Sequence, residues 1–239
     1  APCTLHLAPC TLNPMFSRRR NNGISILFLL LGACGLISAC TAVFLGVPLS
    51  IYRSVDVSSL PQPTAEELPS LPNGTDLIIT GQLPLSLPES TQGLAVYYLE
   101  TRPLVRSTDS GEMVSSSDSF ERDALNQTEI PFLLSNGREV TVRLPQDVIF
   151  SNAERIKTDP VDNIEQQYVG FGRGQTIALE GRWEGNDRLT AATLHAGTAE
   201  DFVSGVQSAP GMLFVYSLLC GGLSLAILVV GGILRFLGR

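Results

Sequence analysis

Cysteine and histidine, the side chains that most often bind metals or act as nucleophiles, are scarce in this sequence. It has five cysteines, and the three after the N-terminal repeat, Cys34, Cys40 and Cys220, lie in long apolar runs. The central region has no cysteine and a single histidine, His195, in a segment with the pattern of a strand. It therefore lacks the usual parts of a zinc site, of a cysteine nucleophile and of a catalytic triad. We expect no metal, no other cofactor and no catalytic residue.

Carboxylates are the remaining candidates for chemistry. Asp159, Asp162 and Glu165 form the densest small group, around Pro160. General acid–base catalysis needs two carboxyls in a cleft with separated pKa values, and the group does not match a calcium-binding loop. We interpret it as a solvent-exposed loop. The serine-rich residues 107–119 contain no Gly-x-Ser-x-Gly elbow and predict a flexible loop.

Two long apolar runs, residues 24–51 and 211–234, lie on either side of the central region that contains these carboxylates and serines. Neither run contains a charged residue, and each exceeds the roughly 20 residues that cross a hydrocarbon core as a helix. We therefore predict transmembrane helices over residues 23–51 and 210–236. An ionisable residue inside the runs would mark a transport pathway, and there is none.

Residues 1–22 predict a disordered N-terminal segment. Residues 1–5 recur as residues 8–12, and Met15 is then followed by a basic stretch. This order is typical of a natural start at Met15, so we expect no role in the fold for residues 1–14.

Arginines flank the two runs and predict the topology. They are Arg18, Arg19, Arg20, Arg235 and Arg239. The region between the runs has the other 11 of the 16 basic residues and all 23 acidic ones, a net charge of −12. The positive-inside rule then places both termini in the cytoplasm or stroma and the central region in the periplasm or lumen. The negative charge predicts that the domain binds neither nucleic acid nor an anionic membrane surface by electrostatics. The helices and the β domain predict the lipid bilayer and other membrane proteins as partners.

The first apolar run has an alternative interpretation. A basic stretch followed by apolar residues is also typical of a secretory signal, and Ile37-Ser38-Ala39-Cys40 is similar to a bacterial lipobox, which would make Cys40 a lipidated first residue. Residues 31–34 are a poorer version of the same pattern. Apolar residues continue for about ten positions past Cys40, more than a signal needs, and this favours a retained anchor.

Small residues at helical spacing in both runs predict close helix packing. They let two backbones approach, which is how helices associate in lipid, either within the chain or with other membrane proteins. The residues expected at these faces are Gly35, Ser38, Ala39, Ala42, Gly46, Ser217, Gly221, Gly222 and Ala226.

The central region divides into a proline-rich tether and a β domain. Residues 52–74 contain Pro61, Pro63, Pro69 and Pro72 and predict an extended, unpacked segment. Residues 75–204 show short β runs separated by turns, which predict a soluble all-β domain, a small, OB-like or partly open β-barrel. The predicted strands are residues 77–80, 94–99, 130–134, 140–144, 176–183 and 189–194.

Two features support this domain. Asn136-Gly137 between two apolar runs is the strongest short hairpin signal, because both residues accept positive φ. Trp183, the single tryptophan, is expected to pack in the barrel or cap it. Residues 171–174 resemble half of a phosphate-binding loop, but a strand follows them, so we interpret them as a plain turn.

The order of these pieces resembles the GIDE-type ("beside a membrane") domain. This domain occurs in membrane-anchored RING ubiquitin ligases of mitochondria and chloroplasts and in bacterial and archaeal relatives. The resemblance covers roughly residues 75–234, through the strand ending at Gly81, the residues 93–98, the hairpin 131–144 and the residues 174–194. It implies a membrane-tethered interaction domain. No RING follows the second run, so the resemblance implies a RING-less relative, in a bacterial plasma or thylakoid membrane, without ubiquitin transfer.

The sequence therefore predicts a non-enzymatic, membrane-anchored interaction module, an accessory or assembly subunit of a larger membrane complex. One alternative is a regulatory or scaffold relative of the membrane ubiquitin ligases. The other is a membrane-tethered hydrolase that uses carboxylates and serines, for which the sequence indicates no converging pair.

Overall fold

A computed structural model describes residues 15–106, 113–115 and 119–237. The chain divides into two compact units. The helical unit holds the described residues up to Ser54 and from Gln207 onward, and the β unit spans Val55–Val206. Along the chain, two apolar helical segments thus flank a central all-β region, which confirms this part of the prediction.

The helical segments are longer than the predicted ones. The first consists of α1 (Met15–Thr41), a π-helical segment (Ala42–Gly46) and α2 (Val47–Ser59). The second is α3 (Ala199–Leu237). Ile26–Ser59 and Ala199–Phe236 have the length and composition of membrane-spanning helices, each with a mean hydropathy of 2.4 in its most apolar stretch.

The π-helical segment has a local cause in the sequence. Pro48 follows it directly and has no backbone N–H, so the carbonyl of Phe44, four residues earlier, loses its usual donor. The proline ring would also clash with that carbonyl in a regular α-helix. Widening the helix by one residue per turn is a common way to absorb such a disruption.

The predicted tether is not an unpacked segment, and this prediction is wrong. Residues 52–59 continue helix α2, and the chain then forms a turn and a short 3-10 helix, Leu68–Ser70. Leu68 is fully buried and Ala65 nearly so, both in the main core of the β unit. Prolines stiffen this segment without preventing apolar side chains between them from packing.

The barrel of the β unit is closed and has five strands. They are β1 (Asp76–Gln82), β5 (Glu129–Leu134), β6 (Glu139–Arg143), β10 (Thr176–Gly185) and β11 (Arg188–Ala196). Their order is β1-β5-β6-β11-β10, and β10 closes the barrel by pairing with β1. Only β6 and β11 run parallel among these neighbours. This is the strand arrangement of an OB-fold, as the sequence predicts.

A second sheet is inserted into the barrel's connections. It contains β2 (Leu94–Arg106), β3 (Met113–Ser115), β4 (Glu121–Leu125), β8 (Glu154–Val161) and β9 (Ile164–Gly172). The order is β3-β2-β9-β8, and β4 also pairs with β2. A short strand, β7 (Ile149–Ser151), runs parallel to β11. Of the predicted serine-rich loop, residues 107–112 and 116–118 lie outside the described residues.

One apolar core joins the barrel and the second sheet. Phe132 and Trp183 from the barrel belong to the same buried cluster as Val96, Val169 and Phe171 from the second sheet. Trp183 is 2% exposed, so it is a core residue as expected. A smaller cluster on the outer side of the barrel consists of Val57, Ile78, Ala178, Ala199 and Phe202.

Candidate interaction face of the second sheet

Strand alternation gives the second sheet two chemically different faces. Residues two apart along a strand share a face, and β9 pairs with β2 from Leu94 to Pro103. Tyr98 and Val169 lie opposite each other, and both are buried in the shared core. We call their side the inner face.

The opposite side has apolar residues on neighbouring strands, on both sides of a polar row formed by Thr101, Gln166 and Thr158. We define the outer sheet face by the apolar side chains that register and alternation place there: Tyr97, Leu99, Pro103, Val105, Val114, Ile156, Val161, Ile164 and Tyr168. The rings of Tyr97 and Tyr168 meet edge to face, with centroids 5.5 Å apart. Val105 is 48% exposed and Val161 54%. Exposed apolar residues that group on one side of a sheet mark interaction surfaces in soluble domains.

The basic side chains of the second sheet lie on the inner face. Arg102 Nε donates to Glu165 Oε2 at 2.7 Å, and Lys157 Nζ lies 3.5 Å from the other oxygen of the same carboxylate. Hydrogen bonding to Arg102 is the main reason why the pKa of Glu165 is lowered. Arg155 Nη1 lies 3.1 Å from Glu100 Oε2, which also accepts a hydrogen bond from Gln167.

Arg122 completes this inner network over an aromatic ring. Its guanidinium carbon lies 3.9 Å from the ring centroid of Tyr98, and its Nη1 donates to the carbonyl of Val148 at 2.9 Å. Burial raises the pKa of Tyr98, with the nearby charge of Glu100 as a further cause. A cation over an aromatic face is a favourable contact that also covers the ring.

The charged residues on the outer side of the second sheet are acidic. Glu121 on β4 lies opposite Thr101, and Asp123 follows at the bulge of the same strand. Glu154 on β8 lies opposite Gly170, on the side of Tyr97. All three carboxylates are exposed, and none forms an ion pair with another described residue.

The predicted carboxylate group does not form a site. Asp162 occupies the turn between β8 and β9 with a φ of 51°, and Asn163 follows with 62°. Glu165 is engaged on the inner face, and Asp159 is exposed at an irregular part of β8. Among the described residues, no group of three or more histidine, cysteine, aspartate or glutamate side chains could hold a metal ion.

One contact that the sequence did not predict joins His195 and Ser151. His195 Nδ1 lies 3.0 Å from Ser151 Oγ across β11 and β7. Burial lowers the pKa of His195, and the charge of Asp201 opposes this shift. Asp201 Oδ2 accepts hydrogen bonds from the backbone N–H and hydroxyl of Thr198, which caps α3. The carboxylate of Asp201 is therefore engaged in the helix cap. We interpret the pair His195 and Ser151 as a structural contact between β11 and β7.

Open depressions also lie on the described part of the barrel. One, of about 410 Å³, lies at the end of β1 beside the β5–β6 turn, with Gly81, Leu133 and Ser135 in its lining. The other, of about 460 Å³, crosses β10 and β11 and contains both acidic and basic side chains. In it, Arg182 Nε donates to Asp76 Oδ1 at 2.9 Å.

The small residues predicted for helix packing divide into two groups. Within the helical unit, α1 and α3 are antiparallel and meet where Ala39 faces Gly221 and Gly35 faces Ser224. Ser217 is also buried, at 3% exposure. The others do not show such a contact: Ser38, Gly222 and Ala226 are exposed, Ala42 is half-buried, and a Cβ on Gly46 would meet no atom within 4 Å.

Three further residues of this helix contact were missed. Gly32 faces Leu228, Gly231 faces Phe28, and Ser224 lies between them along α3. On α1, positions 28, 32, 35 and 39 follow the alternating spacing of four and three that marks a helix seam. A search at a spacing of four alone could not find the whole seam. A search at the heptad spacing could have found it.

The arginines predicted to set topology lie at the helix ends. Arg18, Arg19 and Arg20 belong to the first turns of α1, and Arg235 to the last turn of α3. Arg239 lies outside the described residues.

Comparison with known proteins gives a structural likeness but no relative by sequence. No protein-family model matches the sequence, and no curated protein matches it. Among solved structures, the chain is similar to the telomere capping protein Ten1 from Saccharomyces pombe, with 8% identity and a TM-score of 0.28. The alignment covers 63% of this chain and 99% of Ten1.

The exclusion of nucleic acid as a partner is corrected here. It rested on the net charge of −12, but the fold is an OB-type barrel. OB-folds bind oligonucleotides or oligosaccharides through one face and its loops. A charge summed over a whole domain does not determine the charge of one face, so it excludes no such partner.

Proposed function

We propose that this chain is a membrane-anchored, non-enzymatic interaction module that serves as an accessory or assembly subunit of a larger membrane complex. The two apolar helices anchor it in the bilayer, with both termini cytoplasmic and the β unit on the other side. The distribution of arginines supports this topology, and the resemblance to the GIDE-type domain supports an interaction role beside a membrane.

The observation that carries the proposal is the outer sheet face. Apart from Thr101, Gln166 and Thr158, this solvent-facing side presents tyrosine, leucine, isoleucine, valine and proline side chains where polar ones are usual. Tyr97 and Tyr168 contact each other at one end of the face, and Val105, Val114 and Ile164, 48%, 41% and 37% exposed, lie at the other end, beyond Thr101 and Gln166. Aromatic residues in an exposed apolar patch are typical of the positions that contribute most to protein binding.

The size of the face fits a protein partner. Four strands spaced about 4.8 Å apart and roughly eight residues of β2 give a footprint of about 14 by 27 Å. This is roughly half of the 800 Å² that each side of a standard protein interface buries, so it can form the centre of one, with a polar rim around it.

A double substitution of Val105→Asp and Ile164→Asp tests the proposal. Both side chains are exposed, so we expect the β unit to stay folded while a partner loses its docking surface. The full chain would be solubilised in a mild detergent from the membranes that naturally contain it and sized by native electrophoresis. We expect the unsubstituted chain in a larger complex and the double variant outside it.

The matched control is Ile149→Asp. Ile149 is 59% exposed on β7, away from the outer sheet face. It should leave the complex intact. A double variant that migrates with the unsubstituted chain would contradict the proposed role of this face.

A further inference from the structure

The charges around the outer sheet face are segregated by side. Register and alternation place all the described lysine and arginine residues of the second sheet on the inner side, where ion pairs and an aromatic ring engage most of them: Arg102, Arg106, Arg122, Arg155 and Lys157. Among the charged side chains of the described sheet residues, only carboxylates lie on the outer side. A strand sequence of mixed charge thus produces a sheet whose outer side has charges of a single sign.

These carboxylates border the apolar face at three places. Glu121 and Asp123 lie along β4, Glu154 lies at the start of β8, and Asp162 lies in the turn beside Val161. We call these four residues the acidic rim. None of them forms an ion pair with another described residue, and all four are exposed. Their charge is therefore available to a partner.

Resting on the proposed function, we infer that the partner of the outer sheet face is a protein surface with an aliphatic or aromatic centre and flanking lysine or arginine residues. The apolar side chains require an apolar centre on the partner. A charged partner residue buried against them would lose its hydration without gaining a hydrogen bond or an ion pair, which costs free energy. The acidic rim requires basic flanks, since complementary potentials attract the correct partner and repel others.

The same charges disfavour the other occupants of an apolar sheet face. A second copy of this chain, paired face to face, would bring two acidic rims together, and like charges across an interface cost several kcal/mol. An anionic lipid surface would repel the acidic rim in the same way. The occupant is a basic and apolar protein surface.

The rim predicts fast, salt-dependent association. Exposed interface charges act mainly on the association rate, and salt screens them over about 10 Å at 0.1 M. Replacing carboxylates of the acidic rim by lysine should therefore weaken docking strongly at low salt and weakly at high salt. A substitution in the apolar centre should weaken it at both salt concentrations.

Photocrosslinking of the full chain in its natural membranes tests this inference. The probe is p-benzoylphenylalanine in place of Tyr168, and the products are sequenced by mass spectrometry. The variant rim carries Glu121→Lys, Asp123→Lys and Glu154→Lys. The control carries Glu139→Lys and Asp147→Lys, two exposed carboxylates of the barrel and its β6–β7 connection.

The expected result is one partner polypeptide, attached at an apolar site flanked by lysine or arginine. At 50 mM salt, the variant rim should give at least fivefold less crosslinked product than the unsubstituted chain. At 500 mM salt, the two yields should become nearly equal. The control should give the same yield as the unsubstituted chain at both salt concentrations. A yield that the variant rim leaves unchanged would overturn the inference. The proposed function would then still stand if Val105→Asp with Ile164→Asp abolished the product.

The remaining outcomes also decide the question. A product made of two copies of this chain, or a product with lipid, would overturn the inference of a basic protein partner. The absence of any product at Tyr168, with a product from the same probe at another exposed position such as Leu85, would overturn both the inference and the proposed function.

Discussion

Gly170 lies directly opposite Tyr97 in the β2–β9 pair, and a Cβ atom on Gly170 would lie 2.6 Å from the Cβ of Tyr97. It would also collide with the carbonyl oxygen of Val96. A glycine inside a strand marks such a close approach of side chain and backbone. Here it leaves the space that the carbonyl of Val96 and the Cα and Cβ of Tyr97 occupy.

Gly170→Ala is therefore expected to lower the free energy of unfolding by about 1–3 kcal/mol, the usual cost of overpacking. The measurement is denaturant unfolding followed by the fluorescence of Trp183, which is buried in the same core. Gly172→Ala on the same strand is the control. Its Cβ would lie 3.5 Å from the carbonyl oxygen of Gly93, an ordinary contact, so its stability should change little. Equal effects of the two substitutions would contradict this account.

The barrel strands could be predicted from the sequence because each has a local signal. The Asn136-Gly137 turn, with Gly137 at a φ of 82°, and the Gly185-Asn186-Asp187 turn, where all three residues have positive φ, separate clear apolar runs. The strands β4, β8 and β9 have weaker signals. The inner face of these strands carries arginine, lysine and glutamate side chains, which form ion pairs with residues on strands far apart in the chain. In the sequence alone, such charged side chains indicate exposed loops.

The outer sheet face could not be predicted for the same reason. Tyr97 and Tyr168 are 71 positions apart in the sequence numbering, and only the β2–β9 register brings their rings together. The packing of the predicted tether was also beyond the sequence, since Leu68 between prolines has the composition of an extended linker. The residues that bury Leu68 come from strands far apart in the sequence, so its packing follows only from the fold.

Leu68→Ala is expected to destabilise the β unit by about 2–5 kcal/mol, because a fully buried leucine leaves a cavity when it is truncated. The comparison is best made in a soluble fragment that spans Val55–Val206, by urea unfolding. Leu85→Ala, at a side chain that is 75% exposed, should change stability by less than about 0.5 kcal/mol. If Leu68→Ala were as mild as Leu85→Ala, the segment would be a tether after all.

His195 gives the β unit a pH dependence with a definite sign. Burial lowers its pKa in the folded state below the ordinary 6.5, so the unfolded chain binds the proton more readily. The free energy of unfolding should be independent of this residue above pH 7 and should fall as the pH drops below 6.5 toward the folded-state pKa. Urea unfolding of the same fragment between pH 8 and pH 5 measures this.

His195→Gln should remove that part of the pH dependence. The lowered pKa values of Glu67, Glu165 and Asp201 act at lower pH, because their stabilisation is lost only as the pH falls through the ordinary values, 4.5 for glutamate and 3.8 for aspartate, toward the folded-state pKa. The two windows are therefore separable. A fragment with His195→Gln that loses stability between pH 7 and pH 5.5 as steeply as the unsubstituted one would refute the assignment.

The contact between Gly35 and Ser224 predicts a specific weakness in the helical unit. A larger side chain at Gly35 would occupy the position of the Ser224 side chain and force α1 and α3 apart. Gly35→Leu should therefore unfold the helical unit at a lower fraction of sodium dodecyl sulfate in mixed micelles, followed by far-ultraviolet circular dichroism. Gly222→Leu is the control, since a Cβ there meets no atom within 4 Å. Equal sensitivity of both variants would argue against this seam.

The proposed topology can be read from two acceptor sequences that the chain already contains. Asn73-Gly74-Thr75 and Asn126-Gln127-Thr128 match the pattern for N-linked glycosylation, which occurs only on the lumenal side of the endoplasmic reticulum. Both asparagines belong to the β unit and are exposed. When the full chain is translated with microsomes, we expect a glycosylated product that resists carbonate extraction. Thr75→Ala with Thr128→Ala should return it to the unmodified mass. A carbonate-resistant chain without any glycan would place the β unit on the cytoplasmic side, and the arginines flanking the helices would then not determine the orientation.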